Sequence, residues 1–177
     1  MKALGLAFSV LLPLALTAGA STILHTMDAQ LYRDEAALYP SVGAVAGSAL
    51  QGSGVLISDR WVLTAGHVAD FKTGGTYTIG GVPYTIENVF TAPGHPTLGL
   101  DNDVGLLYLS AAVTGIQPAS MWRFDSSADL LGREATWVGH GLGGTGLTGT
   151  QGGPEKRAFT NVIDGVTPAF GLNGPSF

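Results

Sequence analysis

The sequence contains no cysteine. Whatever compartment it occupies, the chain must be stable without disulfides. Charge is also scarce. Asp, Glu, Lys and Arg make up 12% of the residues, the net charge is −5, and Lys and Arg form no cluster. That argues against nucleic acid or an anionic membrane surface as a partner. Beyond the first twenty residues no apolar run is long enough to cross a bilayer as a helix. What the chain has in abundance is glycine, 27 of 177 residues, beside an apolar share of 45%. Short strands joined by glycine turns give such a balance and a helical bundle does not. The expectation is an all-β protein, sized for one compact domain or two small packed barrels.

Residues 1–20 read as a signal peptide. Lys2 gives a short positive start, Ala3 to Leu16 is apolar apart from Ser9, and Ala18-Gly19-Ala20 is a small-x-small cleavage site. A membrane anchor is the competing reading, but the run is short and holds Pro13. Cleavage after Ala20 predicts a secreted or periplasmic protein with no membrane association once the signal is removed. Residues 21–38 are polar and mixed, and read as a mobile or weakly helical, propeptide-like lead-in.

The organising stretch is Gly52 to Asp70, GSGVLISDRWVLTAGHVAD. Val55-Leu56-Ile57 is a short apolar strand, Ser58-Asp59-Arg60 supplies turn chemistry, and Trp61-Val62-Leu63 is a second strand. The run ends on Thr64-Ala65-Gly66-His67, where small residues leave room for another segment to reach the imidazole. A lone histidine after a strand is more often a satisfied core residue, but the whole string is specific. It resembles the TAGH/TAAH histidine motif of the chymotrypsin/trypsin-like serine peptidases, of the cysteine-free bacterial type. The resemblance implies a double antiparallel β-barrel, with His67 as the general base.

The other segments agree. Tyr39 to Val45 reads as the first strand, and Thr76 to Ile79 and Val82 to Phe90 as a hairpin about Gly80-Gly81. Thr91 to Gly99 reads as a loop. Strands this short suggest an antiparallel barrel. In Asp101-Asn102-Asp103-Val104-Gly105-Leu106-Leu107 an acidic residue stands at the mouth of an apolar strand, where it needs a partner such as an imidazole N–H. The segment resembles the family's D-[IV]-A-L-L string, with Gly105 where alanine is usual. By that resemblance Asp103 orients His67 and stabilises the imidazolium. The competing reading is a solvated turn aspartate, and Asp101 is a weaker candidate for the same role. A calcium loop starting at Asp101 is excluded because its twelfth position is Ala112 rather than glutamate. No metal or cofactor is expected.

The expected organisation is a first barrel over 39–113, a connector over 114–132 and the start of a second barrel over 133–177. Arg133 to Gly141 reads as the strand that resembles the family's Gly-Trp-Gly strand, with His140, a structural or exposed histidine, in place of tryptophan. Gly139 to Gly153 matches G-x-G-x-x-G but no helix can begin after it, so it reads as a flexible surface loop rather than a dinucleotide site. Glu155 to Val162 reads as a further strand.

The family's Gly-Asp-Ser-Gly-Gly motif, which supplies the nucleophile and oxyanion hole, does not occur. Ser176 is a poor substitute, between Pro175 and Phe177. The expectation is a sequence truncated before the catalytic serine, leaving the second barrel incomplete. The parent protein would be a secreted serine endopeptidase, monomeric, acting on protein or peptide substrates, while the chain as it stands would be inactive. The alternative is a non-catalytic, peptidase-like binding module.

Overall fold

The computed structural model describes residues 23–47, 51–70, 72–97, 99, 101–122 and 127–165. The signal segment and Ser176 lie outside these. The chain runs α1 (Ala29–Ala37), β1 (Val42–Ala46), β2 (Gly52–Leu56), β3 (Trp61–Thr64), α2 (Gly66–Ala69), β4 (Thr76–Ile79), β5 (Val82–Thr91), β6 (Gly105–Leu109), β7 (Glu134–Thr145) and β8 (Gly149–Val162). A 3-10 turn at Ser127–Leu130 precedes β7.

Six strands close into an antiparallel barrel in the order β1-β2-β3-β6-β5-β4, with β4 returning to pair with β1. Alternation sets which side chains point inward. Gly43 and Val45 of β1, Gly54 and Leu56 of β2, and Gly105, Leu107 and Leu109 of β6 face the interior. With Val62, Tyr77, Ile79 and Ile86 they form the core. Burying one such aliphatic or aromatic side chain stabilises by roughly 1.5–3 kcal/mol.

Tyr77 is fully buried across the barrel, and glycines make room for it. A Cβ on Gly43 would stand 2.7 Å from its ring carbon Cζ. The phenol shares its hydrogen between the carbonyls of Ser41 and Gly54, both 3.2 Å away. Burial pushes its pKa far up, so it stays a neutral donor. The β4–β5 hairpin turns at Gly80-Gly81, with φ of 58° and 79°. Two successive positive φ values make a type I′ turn, whose twist suits the flanking strands.

The first strand begins later than the sequence suggests. Tyr39 and Pro40 lie in the turn after α1, and pairing starts at Val42. The lead-in is helical over nine residues, capped by the Asp28 carboxylate, which accepts from the Gln30 N–H.

The larger correction concerns the glycine-rich run, read above as a surface loop. It is a hairpin instead. β7 extends to Thr145, β8 starts at Gly149, and the turn between them is held by Thr145 and Thr148. The strands approach so closely at Gly144 that a Cβ there would lie 1.9 Å from the Gly149 carbonyl oxygen. Glycine here permits pairing rather than preventing it. β7 and β8 form the second sheet, with two strands among the described residues.

The hairpin is joined to the barrel by polar contacts. The Ser53 hydroxyl of β2 accepts from the His140 N–H at 2.7 Å, and Lys156 Nζ donates to the Tyr39 carbonyl at 2.5 Å. Helix α1 adds Arg33 with Glu155 at 3.2 Å, and Glu35 with the Thr160 hydroxyl.

Candidate active site

β3 and β6 are antiparallel neighbours, and their register pairs Thr64 with Gly105. The chain leaving β3 therefore starts beside the chain entering β6. That pairing alone brings residues 65–70 next to residues 101–104.

α2 is one turn long, with Ala69 N donating to Ala65 O and Asp70 N to Gly66 O, each at 2.9 Å. Too short to hold itself, it depends on packing. Val68 and Ala69 are buried. A Cβ on Gly52 would fall 2.7 Å from Val68, and one on Gly105 would fall 2.6 Å from Ala69 Cβ. Here the departure from the D-[IV]-A-L-L string has a physical cause. Gly105 lets α2 lie directly on β6.

With its neighbours packed inward, the His67 side chain stays one-third exposed. On the facing loop, Asn102 adopts a left-handed conformation with φ of 50° and donates from its side chain to the Pro93 carbonyl at 3.1 Å. Asparagine tolerates that conformation better than most residues. The bend aims Asp103 at α2.

Asp103 then holds His67 twice. Oδ1 accepts from the His67 backbone N–H at 2.7 Å and Oδ2 lies 2.8 Å from Nδ1. A carboxylate can only accept, so Nδ1 carries the hydrogen. In the neutral imidazole, Nε2 then keeps its lone pair. Among the described residues nothing is hydrogen-bonded to Nε2. The arrangement is an oriented base with its accepting nitrogen unused.

The other candidates separate from this pair. Asp101 contributes its backbone carbonyl to His95 rather than a carboxylate to His67. His140 belongs to the seam between barrel and hairpin, where burial holds its pKa below the ordinary value and Lys156 adds to the effect. Among the described residues, no three His, Cys, Asp or Glu side chains gather as a metal site would need.

His95 is the residue that sequence reading passed over. Its ring lies against Gly66, so close that a Cβ there would come within 2.8 Å of Nε2. Nothing in Thr91 to Gly99 marks this, because the contact depends on where the loop folds back.

The sequence model of the trypsin family matches residues 33–162. The chain belongs to the trypsin family. Among solved structures it is similar to neuropsin, a serine protease expressed in the limbic system of mouse brain. The two are 18% identical with a TM-score of 0.59, over 72% of this chain and 60% of that one. The likeness shows the fold, a chymotrypsin-like double barrel of which the described residues of this trypsin-family chain form one closed barrel and part of a second sheet. The chain spans less than two thirds of the neuropsin chain. No curated protein sequence matches it.

Proposed function

We propose that this chain is the histidine- and aspartate-bearing part of an exported serine endopeptidase acting on protein or peptide substrates. The observation that carries the reading is the double hold of Asp103 on His67, at 2.7 Å to the backbone N–H and 2.8 Å to Nδ1. Family membership supplies the reaction class.

In this reading Nε2 of His67 takes the proton from a serine hydroxyl as the oxygen attacks a peptide carbonyl. The same nitrogen returns the proton to the leaving amine, and water then hydrolyses the acyl-enzyme. Asp103 keeps the imidazole in the accepting tautomer and stabilises the imidazolium. The nucleophile in this reading belongs to a Gly-Asp-Ser-Gly-Gly setting, a motif that the 177 residues do not contain.

The test has two arms. A serine-directed fluorophosphonate should leave the 177-residue chain unlabelled and should label the protein expressed with its continuing coding sequence. In that extended protein His67→Ala should reduce turnover about a millionfold, the scale on which removing a triad base acts, while the fold survives. Stoichiometric labelling of the 177-residue chain would refute the assignment of the nucleophile. Turnover that survives His67→Ala would refute the triad.

A further inference from the structure

Behind the His67–Asp103 pair lies a second imidazole with an oxygen partner at each ring nitrogen. His95 is held by its backbone N–H, which donates to the Ala92 carbonyl at 3.0 Å. Its side chain is 1% exposed. Nδ1 lies 3.0 Å from the Asp101 carbonyl oxygen and Nε2 lies 3.3 Å from Asp70 Oδ2. A carbonyl and a carboxylate both accept, so the imidazolium, with hydrogen on both ring nitrogens, makes the two contacts together. The two partners also sit on different elements. Asp70 ends α2, three residues after His67, whereas Asp101 is two residues before Asp103.

We propose that His95 is a positioning residue whose imidazolium ties the loop carrying Asp103 to the end of the helix carrying His67. Deprotonation breaks the tie. A neutral His95 keeps Nδ1–H on the Asp101 carbonyl, and its Nε2 lone pair then faces the Asp70 carboxylate. α2 has a single turn, so a shift of Asp70 is passed to His67.

The groups facing the ring agree in sign. Asp70 comes from the end of α2, Asp103 and the Asp101 carbonyl come from the loop before β6, and Gly66 presents uncharged backbone. The Asp101 carbonyl raises the His95 pKa most, burial opposes it, and Asp70 and Asp103 add to the rise. The folded value is raised, so the tie is complete below the ordinary value of 6.5 and is lost as pH rises through the folded value. The catalytic consequence rests on the triad reading. His67 must be neutral to act as a base while His95 must be charged to hold it, so the alkaline limb of the rate profile would belong to His95.

The structural claim needs no turnover. The chain has four histidines, so imidazole signals of a ¹⁵N-histidine-labelled sample can be followed individually against pH. His95 should titrate above 6.5, and the His67 Nδ1–H signal should weaken over the same pH range. Asp70→Asn should lower the His95 midpoint and carry the His67 change down with it. His95→Gln should abolish that step. A His67 signal indifferent to the His95 titration would overturn the proposal, as would a His95 midpoint unmoved by Asp70→Asn. The titration of the unaltered chain decides the matter even if a variant misfolds. Failed fluorophosphonate labelling of the extended protein would remove the triad reading and leave this coupling standing.

Discussion

At the scale of single residues, the site is built as much from missing side chains as from present ones. Gly66 and Gly105 let α2 sit between the His95 ring and β6. Two effects compete at Gly66. Alanine in a helix is favoured over glycine by about 1 kcal/mol, but a Cβ there would lie 2.8 Å from His95 Cε1 and Nε2, and overpacking costs roughly 1–3 kcal/mol. Gly66→Ala is therefore expected to lower stability to denaturant by about 1 kcal/mol. In a His95→Ala background the same substitution should become neutral or stabilising. Additive effects in that double-mutant cycle would show that the ring and the glycine are not in contact. Asp103→Asn belongs at the same scale. An amide in place of Oδ2 would present N–H or a weaker acceptor to Nδ1, favouring the wrong tautomer. In the extended peptidase that should lower kcat about 10⁴-fold with little change in stability.

His67 and Asp103 were legible because each is announced by its neighbours. A β-rich string ending on small residues precedes one, and an apolar strand follows the other. The 36-residue gap between them is closed by the pairing of Thr64 with Gly105, in a register that also sets Val62 against Leu107 in the core. His95 was not legible, since its partners are a backbone carbonyl and a carboxylate 25 residues away. The fold class and the hairpin at Gly80-Gly81 could be read from composition and turn chemistry.

At the scale of elements, the glycine-rich run shows where periodicity ceases to inform. Alternation is a pattern of side chains, and β7 and β8 across residues 141–153 offer almost none. Their pairing is visible only in the backbone, through contacts such as Gly144 against Gly149. The contrast with Gly80-Gly81 is useful, because there the glycines do act as a turn. Both residues have positive φ, and a Cβ on Gly80 would also lie 2.9 Å from Ile116 Cδ1. Gly80→Ala should destabilise the barrel by about 1 kcal/mol or more. Gly81→Asn should cost less, because nothing lies near that Cβ and asparagine tolerates the left-handed region. Equal losses in thermal melts of the two variants would show that neither the Ile116 contact nor asparagine's tolerance separates the two positions.

At the scale of the molecule, the two sheets differ in how they are held. The barrel has a continuous buried core, whereas in β7 and β8 the one fully buried apolar side chain among the described residues is Ala158. Trp137 and Phe159 stack on each other at 5.5 Å yet remain partly exposed. The attachment of hairpin to barrel therefore leans on polar contacts at His140, Ser53 and Lys156. Burial, with Lys156 beside it, lowers the His140 pKa, so the neutral ring is the form that suits the fold. A lowered histidine contributes stability that is full above its ordinary value of 6.5 and is lost as pH falls toward and through the folded value. Acid should thus loosen the hairpin before the barrel, whose core among the described residues contains no histidine. Amide exchange measured at pH 7 and at pH 5 should show protection falling selectively in β7 and β8. His140→Gln should flatten that pH response and leave the barrel amides unchanged. Uniform loss of protection across all eight strands would mean that hairpin and barrel unfold as one unit, and that the seam is stronger than its few hydrogen bonds indicate.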